Sequence, residues 1–271
     1  MANIMRFGGG AGGGKMAFAN LTPQSGVTYT DGLSDLSPAV LSIMSAAISN
    51  NRDITNTTTT VYVDYGEIHR KINVGDQVTI ALNGMDYAFD VIGFNHDTLT
   101  TSTAYGANTQ TGKAGITFQM HDMFATFYAM NSSNTNSGSW KSSAMRTSTM
   151  ATMKGYLPSA WQTAIKPVNK ASGLGGGSSS GTETVSDSCF LLAEIEIFGS
   201  IKYSVSGEGT QYAYYKAGNS KVKNMSGSAS HWYERSPRSG YTQDFCMVSK
   251  YGDASASNGT LHPGIAFGFC V

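Results

Sequence analysis

Five histidines, His69, His96, His121, His231 and His262, are the side chains best suited to acid–base or metal chemistry, and none stands in a spacing that either requires. A zinc-protease helix places two histidines four apart around a glutamate, and no such set occurs. Asn95-His96-Asp97 juxtaposes two ligand types, but neighbours in a turn make a weak metal site. Glu194 and Glu196 are two apart, so in an extended chain their carboxylates share one face, as acid–base work would need. The alternation around them predicts instead the exposed face of a strand. Gly173-Leu174-Gly175-Gly176-Gly177 lacks the Lys-Ser/Thr of a phosphate-binding loop, and no Gly-x-Ser-x-Gly sits at a strand-to-helix elbow. Cys189, Cys246 and Cys270 are odd in number and far apart, which predicts buried apolar thiols in a reducing compartment. The expectation is a protein that is not an enzyme, with no catalytic residues, no metal and no cofactor.

The elements that would position any site follow from patterning. Gly8 to Gly14 is almost pure glycine, which permits close backbone approach and suits an arm clamped between partner chains. Ser37 as cap and Pro38 in the first position open a helix whose apolar face is Val40, Leu41, Met44, Ala47 and Ile48. Thr-rich sequence then runs into a strand, Val61 to Tyr65. Ile68 to Ile72 and Gln77 to Leu82 flank a turn at residues 73–76, and Asn83-Gly84 predicts a hairpin into Tyr87 to Phe94. Asn95 to Gly112 is a polar loop. Met120, Met123, Phe124, Phe127 and Tyr128 recur at spacings of three and four and predict a helix over 118–130. Ser139 caps a further helix to about Gly155, and a short one follows from Pro158 to Ile165. Residues 171–184 are Gly/Ser-rich and predict a long surface loop. Cys189 to Ala193 and Glu194 to Phe198 read as extended chain, and the remainder as short strands between turns.

Composition narrows the function. The chain has 271 residues, 40% hydrophobic and 11% aromatic, enough for a sizeable core. Only 13% of residues are charged, against roughly a quarter in soluble domains. Eighteen basic residues balance eighteen acidic ones, and no basic run exists to displace counterions from phosphate, which argues against nucleic acid. No stretch reaches the ~18–20 apolar residues of a membrane span, and the N-terminus has no secretory apolar core. A protein made in a host cytoplasm and released other than by secretion fits these features.

Four ordered pieces carry a resemblance. They are Trp140-x-x-Ser143-x-Met145-Arg146; Phe190-Leu191-Leu192-x-Glu194-x-Glu196-x-Phe198-Gly199; Gly209-x-Gln211-Tyr212-x-Tyr214-Tyr215; and His231-Trp232-Tyr233-Glu234-Arg235-Ser236-Pro237, followed by His262-Pro263-Gly264-Ile265-Ala266-Phe267. This order resembles an uncharacterised domain family of phage and gut Firmicutes structural proteins with W-x-R-S-P and G-x-x-P-A-F type motifs. The resemblance spans roughly 68–271. It implies a C-type-lectin-like fold, akin to formylglycine-generating enzymes, with a twisted antiparallel sheet and long loops. Here Tyr233-Glu234 stands where that family usually has a second Trp and Leu, and the terminal motif is reordered around Pro263-Gly264.

The expected organisation is α+β: residues 1–60 as arm and helix for attachment or oligomerisation, and 61–271 as the lectin-like domain with its loop at 171–184. Trp140, Arg146, Trp232, Arg235, Pro237 and Phe267 are expected to be structural, Trp232 through its apolar bulk and Arg235 through a fork of hydrogen bonds to loop carbonyls. Tyr212, Tyr214, Tyr215, Tyr233 and Tyr241, with Asn219, have the composition of adaptable recognition loops and are the candidate ligand-binding residues; equally, the tyrosines could pack the sheet. The leading functional expectation is a bacteriophage virion protein, tail-associated or a head fibre or decoration. It would be a homo-oligomer joined to other virion proteins through the arm, and its lectin-like domain would contact a host-surface glycan or protein or neighbouring subunits. The alternative is a non-virion glycan- or protein-binding module of a bacterium or prophage. A degenerate formylglycine-generating enzyme ranks last, because the cysteines stand alone.

Overall fold

The computed structural model describes residues 17–106 and 109–271; the glycine-rich arm at 8–14, and the attachment role expected of it, lie outside them. The chain is α+β. In order it forms β1 (Ala17–Asn20), β2 (Thr30–Asp31), α1 (Pro38–Ser49), β3 (Thr60–Tyr65), β4 (Ile68–Asn73), β5 (Gln77–Leu82), β6 (Met85–Phe94) and β7 (Ile116–Met120). Then come α2 (Ser139–Ser142), a π-helical turn (Met145–Thr149), α3 (Met150–Tyr156), α4 (Ser159–Ala164), β8 (Val168–Gly173), β9 (Thr182–Asp187), β10 (Cys189–Phe190) and α5 (Glu194–Phe198). The last part holds α6 (Ala213–Lys216), β11 (Lys223–Met225), β12 (Ser228–Ser230), β13 (Trp232–Pro237), β14 (Asp244–Val248), β15 (Ala254–Asn258) and β16 (Gly268–Cys270).

The main sheet has the order β10-β16-β7-β6-β5 and is antiparallel throughout. Its β5–β6 hairpin turns at Asn83 and Gly84, both with positive φ, which the right-handed twist of the flanking strands demands of a two-residue connection. Strand β7 replaces the helix expected over 118–130. It lies between β6 and β16, buried on both faces, so pairing on each side overrides a spacing that also suits a helix. Beyond it the backbone N–H groups of Met123 and Phe124 donate to the carbonyls of Asn224 and Ile265, not to a helical turn. Met123 and Phe124 are buried there, and Phe127 is exposed.

A second sheet, β1-β3-β4-β2, joins the first strands of the described residues to β3 and β4. The division expected at residue 60 therefore runs through a sheet. Helix α1, capped by Ser37 as predicted, packs against β1 and β3 of this second sheet and against α4, and is hydrogen-bonded to the end of the main sheet. Ser45 Oγ accepts the N–H of Ile116, and Asn95 Nδ2 donates to the carbonyls of Ile48 and Ile54. Gly115 makes this approach possible, since a Cβ there would fall 1.9 Å from the Ser45 carbonyl oxygen.

Two further expectations change. The loop expected over 171–184 is shorter by three residues at each end: 171–173 and 182–184 pair as the inner ends of a β8–β9 hairpin, and 174–181 is its loop. The period-two pattern Lys170-x-Ser172 and Thr182-x-Thr184 carried that signal beneath the glycine content. Residues 194–198 form a helical turn, α5; five residues are too few for a helical period to show against an alternating one.

Candidate functional site

The motif segments converge on a buried ionic network. Lys170 on β8 sends its ammonium to Asp97 (2.7 Å), Glu196 (2.7 Å) and the Tyr212 hydroxyl (3.1 Å), which uses all three donors. Arg235 on β13 forms a fork with Glu196, 2.6 and 2.9 Å to the two oxygens. Its remaining donors reach the carbonyls of Ala171, Leu191 and Glu208. The expected fork to loop carbonyls is therefore present, with a carboxylate partner the sequence reading had placed on an exposed strand face. Glu196 is buried because the turn of α5 points it inward, where it also accepts the Ala193 N–H.

Burial alone would raise the carboxyl of Asp97, but Lys170 and His96 outweigh it and hold the group well below the usual range. Glu196 is likewise raised by burial and pulled lower overall by Arg235 and Lys170. Glu208, which accepts from the Gly173 N–H and the Ser236 hydroxyl, is pushed by burial up to about 7. Above the network lies a polar cleft of about 300 Å³ lined by His96, Lys113, Asn169 and Thr210 among others. His96 stacks on Tyr212 at 3.8 Å between centroids, with Nε2 against the Thr210 carbonyl.

The first motif closes a second knot. Trp140 Nε1 and Arg146 Nε share one carboxylate, Asp187 on β9, at 2.7 and 2.6 Å. Trp232 is fully buried with Nε1 on the Lys221 carbonyl. Phe267 packs edge-on against Phe89. Pro237 sits where the β13–β14 register shifts, a place that tolerates a missing N–H.

Among the candidate ligand-binding residues, burial separates one from the rest. Tyr212, Tyr214, Tyr215 and Tyr233 lie in the core. Tyr215 donates to Gln119 and Tyr233 to the Asn258 carbonyl, so these tyrosines pack the fold and do not present a surface. Asn219 caps α6 by donating to the Tyr214 carbonyl. Tyr241 alone of the six is exposed, at 49%.

Tyr241 belongs to a surface built from three loops. The Arg238 guanidinium lies 3.5 Å over the Tyr241 ring and 5.4 Å from Tyr203, and Lys202 lies 5.0 Å over Tyr203. Arg238 is also paired with Asp244 at 2.9 Å. The loop carrying Lys202 and Tyr203 is held from below. Buried Glu194 accepts the N–H groups of Lys202, Tyr203 and Ser204 at 2.8–3.1 Å, while the Tyr203 carbonyl accepts from Ser239. Buried Asn136 ties the other two loops, donating to the carbonyls of Tyr241 and Asp244 and accepting from the Gly176 N–H. Sequence reasoning missed Lys202, Tyr203 and Arg238; the position of Arg238 directly after Arg235-Ser236-Pro237 was the available signal.

Among the described residues no group of three or more His, Cys, Asp or Glu side chains could hold a metal ion, and no helix is long and apolar enough to cross a membrane. The three cysteines are buried and unpaired. Residues 114–270 match a family described as a domain of unknown function, DUF6273. No curated protein and no solved structure matches the chain.

Proposed function

The chain belongs to the DUF6273 family, matched over more than half its length, and from that premise we propose that it is a structural protein of a bacteriophage particle, tail-associated or a head fibre or decoration, whose C-type-lectin-like part displays recognition loops and performs no catalysis. The observation that supports this reading best is the placement of charge. At the centre, Lys170, Arg235, Asp97 and Glu196 are tied to one another and to backbone. Such a network fixes loops and leaves no donor of Lys170 or Arg235 for a substrate. At the surface, loops rich in Gly, Ser and Thr carry aromatic and cationic side chains. The ordered motifs and the low overall charge point the same way. In the particle the chain is a homo-oligomer, and the glycine-rich arm joins it to other virion proteins.

Antibodies raised against the full chain, imaged on purified phage particles, test the reading. Labelling of head or tail is expected, and particles bare of label while the protein is present in the infected cell refute it. Deleting residues 2–14 while keeping β1 is expected to abolish incorporation.

A further inference from the structure

Three candidates stand out beyond the buried network. The cleft over Lys170 has a floor whose charged groups already bind one another. The groove of about 520 Å³ between α1 and α4, lined by Ala39, Ile43, Ala160, Ala164 and Lys166, has nothing beside it that says what covers it. The three-loop surface carries more, because its chemistry is specific and its backbone is held in place.

Resting on the display reading, we propose that the Lys202–Tyr203–Arg238–Tyr241 surface binds an acidic saccharide, a sugar chain bearing carboxylate groups. Two tyrosine rings adjoin one guanidinium, Tyr241 at 3.5 Å and Tyr203 at 5.4 Å. Tyrosine offers a rigid apolar face to the C–H face of a pyranose and a hydroxyl at its rim, at the cost of only two side-chain torsions. The charge is the second element. Lys202 has no acidic partner among the described residues, and its ammonium is held over Tyr203. Arg238 uses Nη1 on Asp244, which orients the planar fork that recognises carboxylates. A cation with no acidic partner over a half-buried tyrosine ring, with the exposed Tyr241 on the same surface, is complementary to a ligand that is part apolar and part anionic.

Preorganisation is the third element. Three backbone N–H groups of the 202–204 loop converge on the Glu194 carboxylate. Asn136 fixes the carbonyl of Tyr241 itself. A surface ordered before binding loses little entropy on binding. An acidic protein segment would share the charge attraction but not the requirement for the ring faces, and the test separates the two.

The probe is polygalacturonate, with dextran as neutral saccharide and poly-glutamate as acidic polypeptide, measured by biolayer interferometry on the full chain. Binding to polygalacturonate is expected, weakening with salt, with little binding to the other two. Tyr241→Ala and Lys202→Ala are each expected to raise Kd by about tenfold. Tyr251→Ala, at a tyrosine 74% exposed elsewhere on the surface, is expected to leave it unchanged. Arg238→Lys, which keeps the charge and loses the fork, is expected to weaken binding as well. Equal binding of poly-glutamate, indifference to Tyr241→Ala at unchanged Tm, or no binding to polygalacturonate overturns the proposal. Particle labelling without saccharide binding would sink the ligand alone, and bare particles would sink the display reading.

Discussion

Glu234 on β13 is fully buried, and neither carboxylate oxygen has a hydrogen-bond partner. Burial pushes its carboxyl well above the ordinary value of 4.5, and the nearby Glu194 and Glu208 push it further, against a smaller opposing pull from Arg235. The substitution Glu234→Leu is therefore expected to stabilise the protein. An unsatisfied buried polar group costs about 1–3 kcal/mol, and that is the gap expected below pH 4.5, where the carboxyl is protonated in both folded and unfolded chains. As pH rises past 4.5 the unfolded chain loses its proton and the folded one keeps it. Wild-type stability then falls by ~1.4 kcal/mol per pH unit until the native group itself ionises. The Leu variant lacks this component, so the gap widens from pH 5 upward. Glu208, whose value near 7 also makes stability pH-dependent, is present in both proteins and cancels in the difference to first order. Urea titrations at a series of pH values measure the gap directly; each kcal/mol corresponds to roughly 2–4 °C in Tm for a chain of this size. A gap that does not change with pH, or a Leu variant less stable than wild type, would show that Glu234 has a partner in the native protein.

Three other expectations test the framework. Lys170→Met should cost about 3–5 kcal/mol, because Asp97 and Glu196 lose the cation between them; a change under 1 kcal/mol by urea denaturation would contradict the network. Asn136→Ala removes three hydrogen bonds to two loops, each worth roughly 0.5–1.5 kcal/mol, and should speed amide exchange at 174–181 before the core loosens. Gly115→Ala should exceed the ~1–3 kcal/mol usual for overpacking, because backbone faces backbone there; a soluble variant with unchanged Tm would show that α1 does not dock as described.

Local signals were legible where local chemistry decides. Ser37-Pro38 opened α1 and Asn83-Gly84 turned the hairpin because caps and two-residue turns have few solutions. Where distant strands decide, the same residues misled. Ile116 to Met120 alternates as a strand and shares a helical stripe with the residues after it, and only β6 and β16 on either side resolve the choice. The tyrosines of Gln211-Tyr212-x-Tyr214-Tyr215 look like a recognition loop by composition, yet α6 turns them into the core beside Asp97 and Gln119. Glu196 read as an exposed carboxylate because its partner Arg235 is 39 residues away. Arg235 itself was legible, since a large cation between Trp and Ser-Pro has few uses other than organising loops.

The loops around Tyr203 and Tyr241 are fastened at their main chain: Glu194 grips amide groups, and Asn136 grips carbonyls and an amide. Such fastenings are indifferent to which side chains the loops bear. Selection, or a mutational library confined to positions 201–203 and 241–243, can therefore rewrite what this face contacts while its scaffold and the cost of folding stay nearly constant.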